Sequence, residues 1–157
     1  MRLASVLTAV LMASVAAADN YPQFRGVNAD AISPVPLPVN WTTESGVKWK
    51  ISLEGEGWSQ PILWEGRLYM TAAVPSNPKN ADAAKPESNN GGYGRDRRDL
   101  VTVDYRYQVA CLDAETGKPI WKTTVKQGKP PIPRHSTNTY ATETPVTDGE
   151  HLYAYFG

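Results

Sequence analysis

The stretch "CLDAETGKPIW", Cys111 to Trp121, decides how the rest of the chain is read. An aspartate followed by a Thr-Gly-Lys corner sets a tight turn. The Asp113 carboxylate can accept hydrogen bonds from the backbone N–H groups that follow it, and Gly117 supplies the left-handed conformation. Lys118 starts a return strand, and Trp121 is carried out by it as a flat wedge between adjoining sheets. Packing accounts for each of these residues, so Asp113 is expected to cap a turn and not to act as a catalytic base.

Strand periodicity surrounds this corner. "VTVDYRYQVACLD", Val101 to Asp113, leads into it, and "KPIWKTTV", Lys118 to Val125, leads out. Upstream, "VKWKISL" alternates apolar and polar residues, with Val47, Trp49, Ile51 and Leu53 on one face, and predicts a strand. "SQPILWEGRLYMTAA", Ser59 to Ala73, holds two short runs joined by Glu65-Gly66, a hairpin turn, with Pro61 confined to a strand's start because it has no N–H to donate. "TPVTDGEHLYAYFG", from Thr144, predicts a last hairpin that turns at Asp148-Gly149.

The connections differ from the strands in composition. Residues 75–99 are rich in Pro, Asn, Gly and charge with almost nothing to bury, and are expected to form a long disordered insertion. Arg95 to Asp99, with charges of both signs, reads as a solvated part of it. A second polar connector runs from Lys126 to Glu143. Residues 19–46, with Pro34, Pro36 and Pro38 at alternate positions, suit an extended leader, in which Asn40-Trp41-Thr42 matches the short glycosylation sequon.

Residues 1–18 are read separately. Arg2 precedes an uncharged run from Leu3 to Ala18 that ends in Ala16, Ala17 and Ala18, the pattern of a secretory signal peptide cleaved after Ala18. The mature chain is therefore expected in a periplasmic or extracellular setting, with no membrane span. Cys111 is the sequence's one cysteine, so no internal disulfide is available. Equal numbers of basic and acidic residues, 16 of each, leave nothing to attract nucleic acid or an anionic membrane.

Two internal echoes point to a repeat. "PILWEGRLYMTA" and "PVTDGEHLYAYF" both run from proline through a strand and an acidic-Gly turn to Leu-Tyr, with Pro61 to Leu68-Tyr69 spaced as Pro145 to Leu152-Tyr153 and the turn slipped by one residue. "VKWKISL" and "PIWKTTV" align Trp49 with Trp121. Without the insertion the Trp49 and Trp121 copies recur within roughly the 40 to 50 residues of a four-stranded propeller blade, and the Pro61 and Pro145 copies at a somewhat longer interval.

Asp113, Gly117 and Trp121 resemble the tryptophan-docking motif of the quinoprotein, or PQQ-like, β-propeller family, whose repeats read Ala-x-Asp-x-x-x-Gly-x-x-Trp, with Cys111 here in the alanine position. "YPQFRG", Tyr21 to Gly26, is similar to the start of many exported bacterial proteins of this group, with Tyr21 where tryptophan is commoner. The resemblance implies an all-β chain: a partial propeller of four-stranded antiparallel blades over residues 47–157. It would hold the closing strand at Val47 to Leu53, one blade interrupted by the insertion, and the first hairpin of the next.

Functionally the resemblance leaves two classes. One is a non-enzymatic binding or scaffold propeller, the expectation adopted here, with an unspecified protein or small-molecule ligand at its face and no cofactor. The other is a quinoprotein oxidoreductase, holding pyrroloquinoline quinone and calcium and oxidising an alcohol or sugar. Arg134, His135, Asn138, Tyr140 and Glu143, in a connector that can border a channel mouth, either line a ligand or partner surface or belong to a solvated loop. His151 alternates beside Leu152 and Tyr153 and reads as a surface or packing residue. No zinc spacing, phosphate loop or nucleophile elbow is present.

Overall fold

The computed structural model describes residues 20–33, 36–77, 103–132, 134 and 138–157. The expected signal peptide, His135 and nearly all of the expected insertion lie outside the described residues. What is described is all-β. Four strands form one antiparallel sheet in sequence order, β1 (Ile62–Trp64), β2 (Arg67–Pro75), β3 (Tyr105–Asp113) and β4 (Pro119–Gly128), and β5 (Val146–Thr147) pairs with β6 (Leu152–Tyr153) in a second hairpin.

The turns follow from their residues. Glu65 and Gly66 both have positive φ, 46° and 72°, the backbone that a two-residue hairpin needs to match strand twist. The β5–β6 connection is longer because Asp148 organises it: its Oδ1 accepts from the N–H groups of Glu150 and His151 at 2.9 and 2.7 Å. The β3–β4 corner takes the form its sequence predicts. Asp113 Oδ1 accepts from Thr116 N and Thr116 Oγ1, both at 2.7 Å, and Gly117 has φ 70°.

Register assigns the two faces of the sheet. Ala73, Tyr107 and Lys126 oppose one another across β2, β3 and β4, as do Met70, Ala110 and Lys122; the two rows lie three residues apart on β2 and β3 and so point oppositely, while a bulge opposite Tyr107 and Gln108 adds one residue between them on β4. The first face meets the last part of the chain: Ala73, Val103, Tyr105, Tyr107, Tyr140 and Ala141 form a buried cluster joined by Phe156. Tyr105 packs edge-on to Tyr140 with ring centroids 4.9 Å apart, and Tyr107 to Phe156 at 5.3 Å. On the second face, Glu54 accepts from Arg106 at 2.6 Å and Lys122 at 3.2 Å, which ties the segment before β1 across β3 and β4.

Several expectations need correction. Val47 to Leu53 carries no ladder, although Trp49 and Ile51 are its two half-buried residues, as the alternation predicts. It packs on a sheet without pairing to it. Pro75 is the last residue of β2 and opposes Tyr105, so the insertion starts after it. β3 begins at Tyr105, and β4 continues to Gly128, three residues beyond the predicted end, because Lys126, Gln127 and Gly128 pair with Tyr107, Arg106 and Tyr105. No described helix is long and apolar enough to cross a membrane.

Trp121 is 39% exposed on β4, its ring tilted against Tyr69 with centroids 6.1 Å apart. The indole held by the Asp113–Gly117 corner is Trp49. Its Nε1–H donates to Ala114 O at 2.9 Å, and a Cβ added at Gly117 would stand 2.6 Å from Trp49 Cδ2 and Cε3. Glycine is required there twice, once for φ and once for the indole lying on it.

Candidate functional site

Antiparallel order places the short turns at one end of the sheet and the long connections at the other. The 65–66 and 114–117 turns share the first end, where Ala114 N donates to Gly66 O at 2.9 Å. The connections 76–104 and 129–145 leave from the opposite end, where β2 and β4 finish and β3 begins. Long connections over a rigid sheet are where binding residues concentrate.

At that end Arg134 is buried, its side chain 6% exposed. Its Nη2 pairs with Glu56 Oε1 at 3.1 Å, its Nη1 donates to Asn138 O, and its guanidinium lies over the Tyr140 ring, 5.6 Å from the centroid. Arg134 N donates to Tyr140 Oη at 3.2 Å. Glu56 is held in turn by the edge of β2, through reciprocal backbone bonds with Ala73 at 3.0 and 2.8 Å. The buried charge therefore has a positioned counter-charge, without which it would cost several kcal/mol.

Among the described residues, three buried polar atoms here have no hydrogen-bond partner: Tyr105 Oη, Tyr107 Oη and Arg134 Nε. All three can donate. Burial raises the pKa of Tyr105, reinforced by the Glu56 charge and opposed by Arg134. Tyr107 is pushed up to about 12, mainly by burial and then by Tyr140 and Tyr105. Both phenols stay protonated at neutral pH. An unpaired buried donor costs about 1–3 kcal/mol, so among the described residues the cluster offers more donors than acceptors.

Of the residues singled out in the sequence, Arg134, Asn138 and Tyr140 are brought together. His135 lies outside the described residues. Glu143 has its Oε1 close enough to Gly157 that a Cβ there would be 2.9 Å away. Glu56, Tyr105 and Tyr107 complete the cluster and were not legible as site residues, because the tyrosines read as alternating core positions and Glu56 is 78 residues from its arginine.

The docking residues lie elsewhere. Asp113 and Gly117 belong to the short-turn end, and Cys111 is fully buried in β3, its thiol pKa raised by burial. The carboxyl of Asp113 is held below its ordinary value by the side-chain and backbone hydrogen bonds of Thr116. His151 is exposed, its Nδ1 3.6 Å from Asp148 Oδ2. An open, mainly apolar groove of about 240 Å³ lies on the sheet's second face, lined by Leu53, Met70, Ala72, Ala110, Leu112 and Pro119 among others. Among the described residues, no group of three or more His, Cys, Asp or Glu is placed to hold a metal ion. No protein-family model, curated protein or solved structure matches this chain.

Proposed function

We propose that this chain is the N-terminal part of an exported PQQ-like β-propeller that works as a binding or scaffold module. The observation that carries this reading is the docking of Trp49 on the Asp113–Gly117 corner. The segment bearing that tryptophan has strand alternation but no ladder, and it lies against a four-stranded meander whose opposite face is covered by Tyr140 and Ala141 of the connector and by Phe156. Sheets stacked face to face, with each edge protected by radial repetition, have this arrangement. The aligned Trp121, still 39% exposed, would dock in the same way on a following sheet.

The ligand or partner would meet the connector end, where Arg134, Asn138 and Tyr140 gather, and would offer hydrogen-bond acceptors to the donors there. Glu56, the carboxylate of that cluster, is committed to Arg134, which favours recognition over proton abstraction. Fold alone does not choose between binding and oxidoreduction. The deciding experiment adds calcium and pyrroloquinoline quinone to the full-length protein, followed by gel filtration and a dye-reduction assay with alcohols and sugars. A binding module elutes without quinone absorbance and reduces no dye. Retained quinone with dye turnover would replace this proposal with the oxidoreductase.

A further inference from the structure

The leader is more than a tail on the surface. Tyr21 makes an antiparallel bridge with Leu63 at the free edge of β1, with N–H···O distances of 2.6 and 2.9 Å. The next residue reaches the other sheet: Pro22 O accepts from Thr147 N on β5 at 3.0 Å. Asn20 Oδ1 accepts from Glu65 N at 2.8 Å, Gln60 Nε2 donates to Tyr21 Oη at 3.1 Å, and Arg25 N donates to Gln60 Oε1 at 3.1 Å. Beyond these contacts the chain curls into a loop closed by Ala29 N to Gly26 O at 3.1 Å and Ala31 N to Arg25 O at 2.9 Å. A Cβ at Gly26 would stand 2.8 Å from the Tyr21 ring, so the loop is built around that tyrosine.

The two edges of the sheet differ in what they face. β4 is exposed along nearly all its length and carries Lys122 and Lys126, the usual protection of an edge turned to water. β1 is short, and its edge is occupied by the leader. The first strands of the two hairpins, β1 and β5, converge on adjacent leader residues. In sheets stacked around an axis, the edges that converge are the inner ones.

We infer that residues 20–31 form an axial plug: the leader pairs with the inner strands and fills the near side of the central channel, leaving the connector rim as the face open to a ligand. This rests on the propeller reading proposed above. A planar cofactor seated along the axis beside β1 would have to displace the Tyr21–Leu63 bridge and the Pro22–Thr147 bond.

The test uses the full-length mature protein with Phe24→Cys, a residue of the leader loop, and compares a small maleimide with a polymer-linked one. Val125→Cys on the open edge of β4 is the exposed control, and the wild type, with Cys111 buried, gives the background. Inside a narrow channel the bulky reagent is excluded, so the ratio of small to bulky labelling rates at Phe24→Cys should exceed that at Val125→Cys by about tenfold or more. Small-angle scattering on the same samples reports whether a compact ring is present. Equal ratios with a compact ring would overturn the plug and leave the propeller standing. Equal ratios without a ring would remove the propeller and the plug together.

Discussion

Gly117→Ala separates a docking corner from an ordinary turn. At φ 70° an alanine pays about 1–2 kcal/mol for the left-handed conformation wherever it stands. At position 117 its Cβ would also meet the Trp49 ring at 2.6 Å, closer than the ring can accept without moving. Moving it breaks the 2.9 Å bond from Nε1 to Ala114 O, a further ~1 kcal/mol. The expected total is about 2–3 kcal/mol. Gly66→Ala is the matched control, because Gly66 has φ 72° and nothing within 4 Å of an added Cβ, so it should lose only the ~1–2 kcal/mol of backbone strain. Guanidinium unfolding of the full-length protein measures both. In a Trp49→Ala background, Gly117→Ala should fall to the cost of Gly66→Ala, a coupling of ~1 kcal/mol. Equal losses for the two glycines in the wild-type background, or no coupling to Trp49, would refute the docked indole.

Other outcomes follow from the same contacts. Trp49→Phe keeps a ring on Gly117 but lacks the Nε1–H, and should cost about 1 kcal/mol in the same unfolding assay. Asp113 has a depressed carboxyl pKa in the folded state, so its contribution is present above the unfolded value and is lost as pH falls through the folded one; Asp113→Asn should flatten stability below the ordinary carboxylate range, read by acid titration of circular dichroism. Tyr107 has the opposite sign. With its folded pKa near 12, stability is full below the unfolded value and declines as pH rises from there towards 12, so Tyr107→Phe should raise the alkaline unfolding midpoint. Cys111, fully buried with a raised thiol pKa, should resist disulfide reagents in the native protein and react on unfolding.

What the sequence disclosed was set by the range of the interaction. The Asp113 cap and the left-handed glycines at 66, 117 and 149 depend on a few adjacent residues, and the corner and both hairpins were legible for that reason. The aligned proline and Leu-Tyr positions likewise marked two equivalent ribbons, β1–β2 and β5–β6, whose turns differ as the one-residue slip implied. Val47 to Leu53 showed which side chains would be covered but not whether a ladder would form, because alternation reports burial and not the pairing of the backbone. Gly117 was read with the tryptophan four residues after it, whereas its indole comes from Trp49, which bonds a carbonyl 65 residues away. The Arg134–Glu56 pair and the unpaired tyrosine hydroxyls were hidden for the same reason: they are created only when the connector folds back on β3.

A crystal structure of the full-length protein tests the central claim most directly. The account predicts that the β1–β4 sheet is one of several like sheets around an axis, with the Trp121 indole seated on a glycine turn of the next as Trp49 is on Gly117. An isolated sheet with Trp121 facing water and no second corner beneath it would contradict that account.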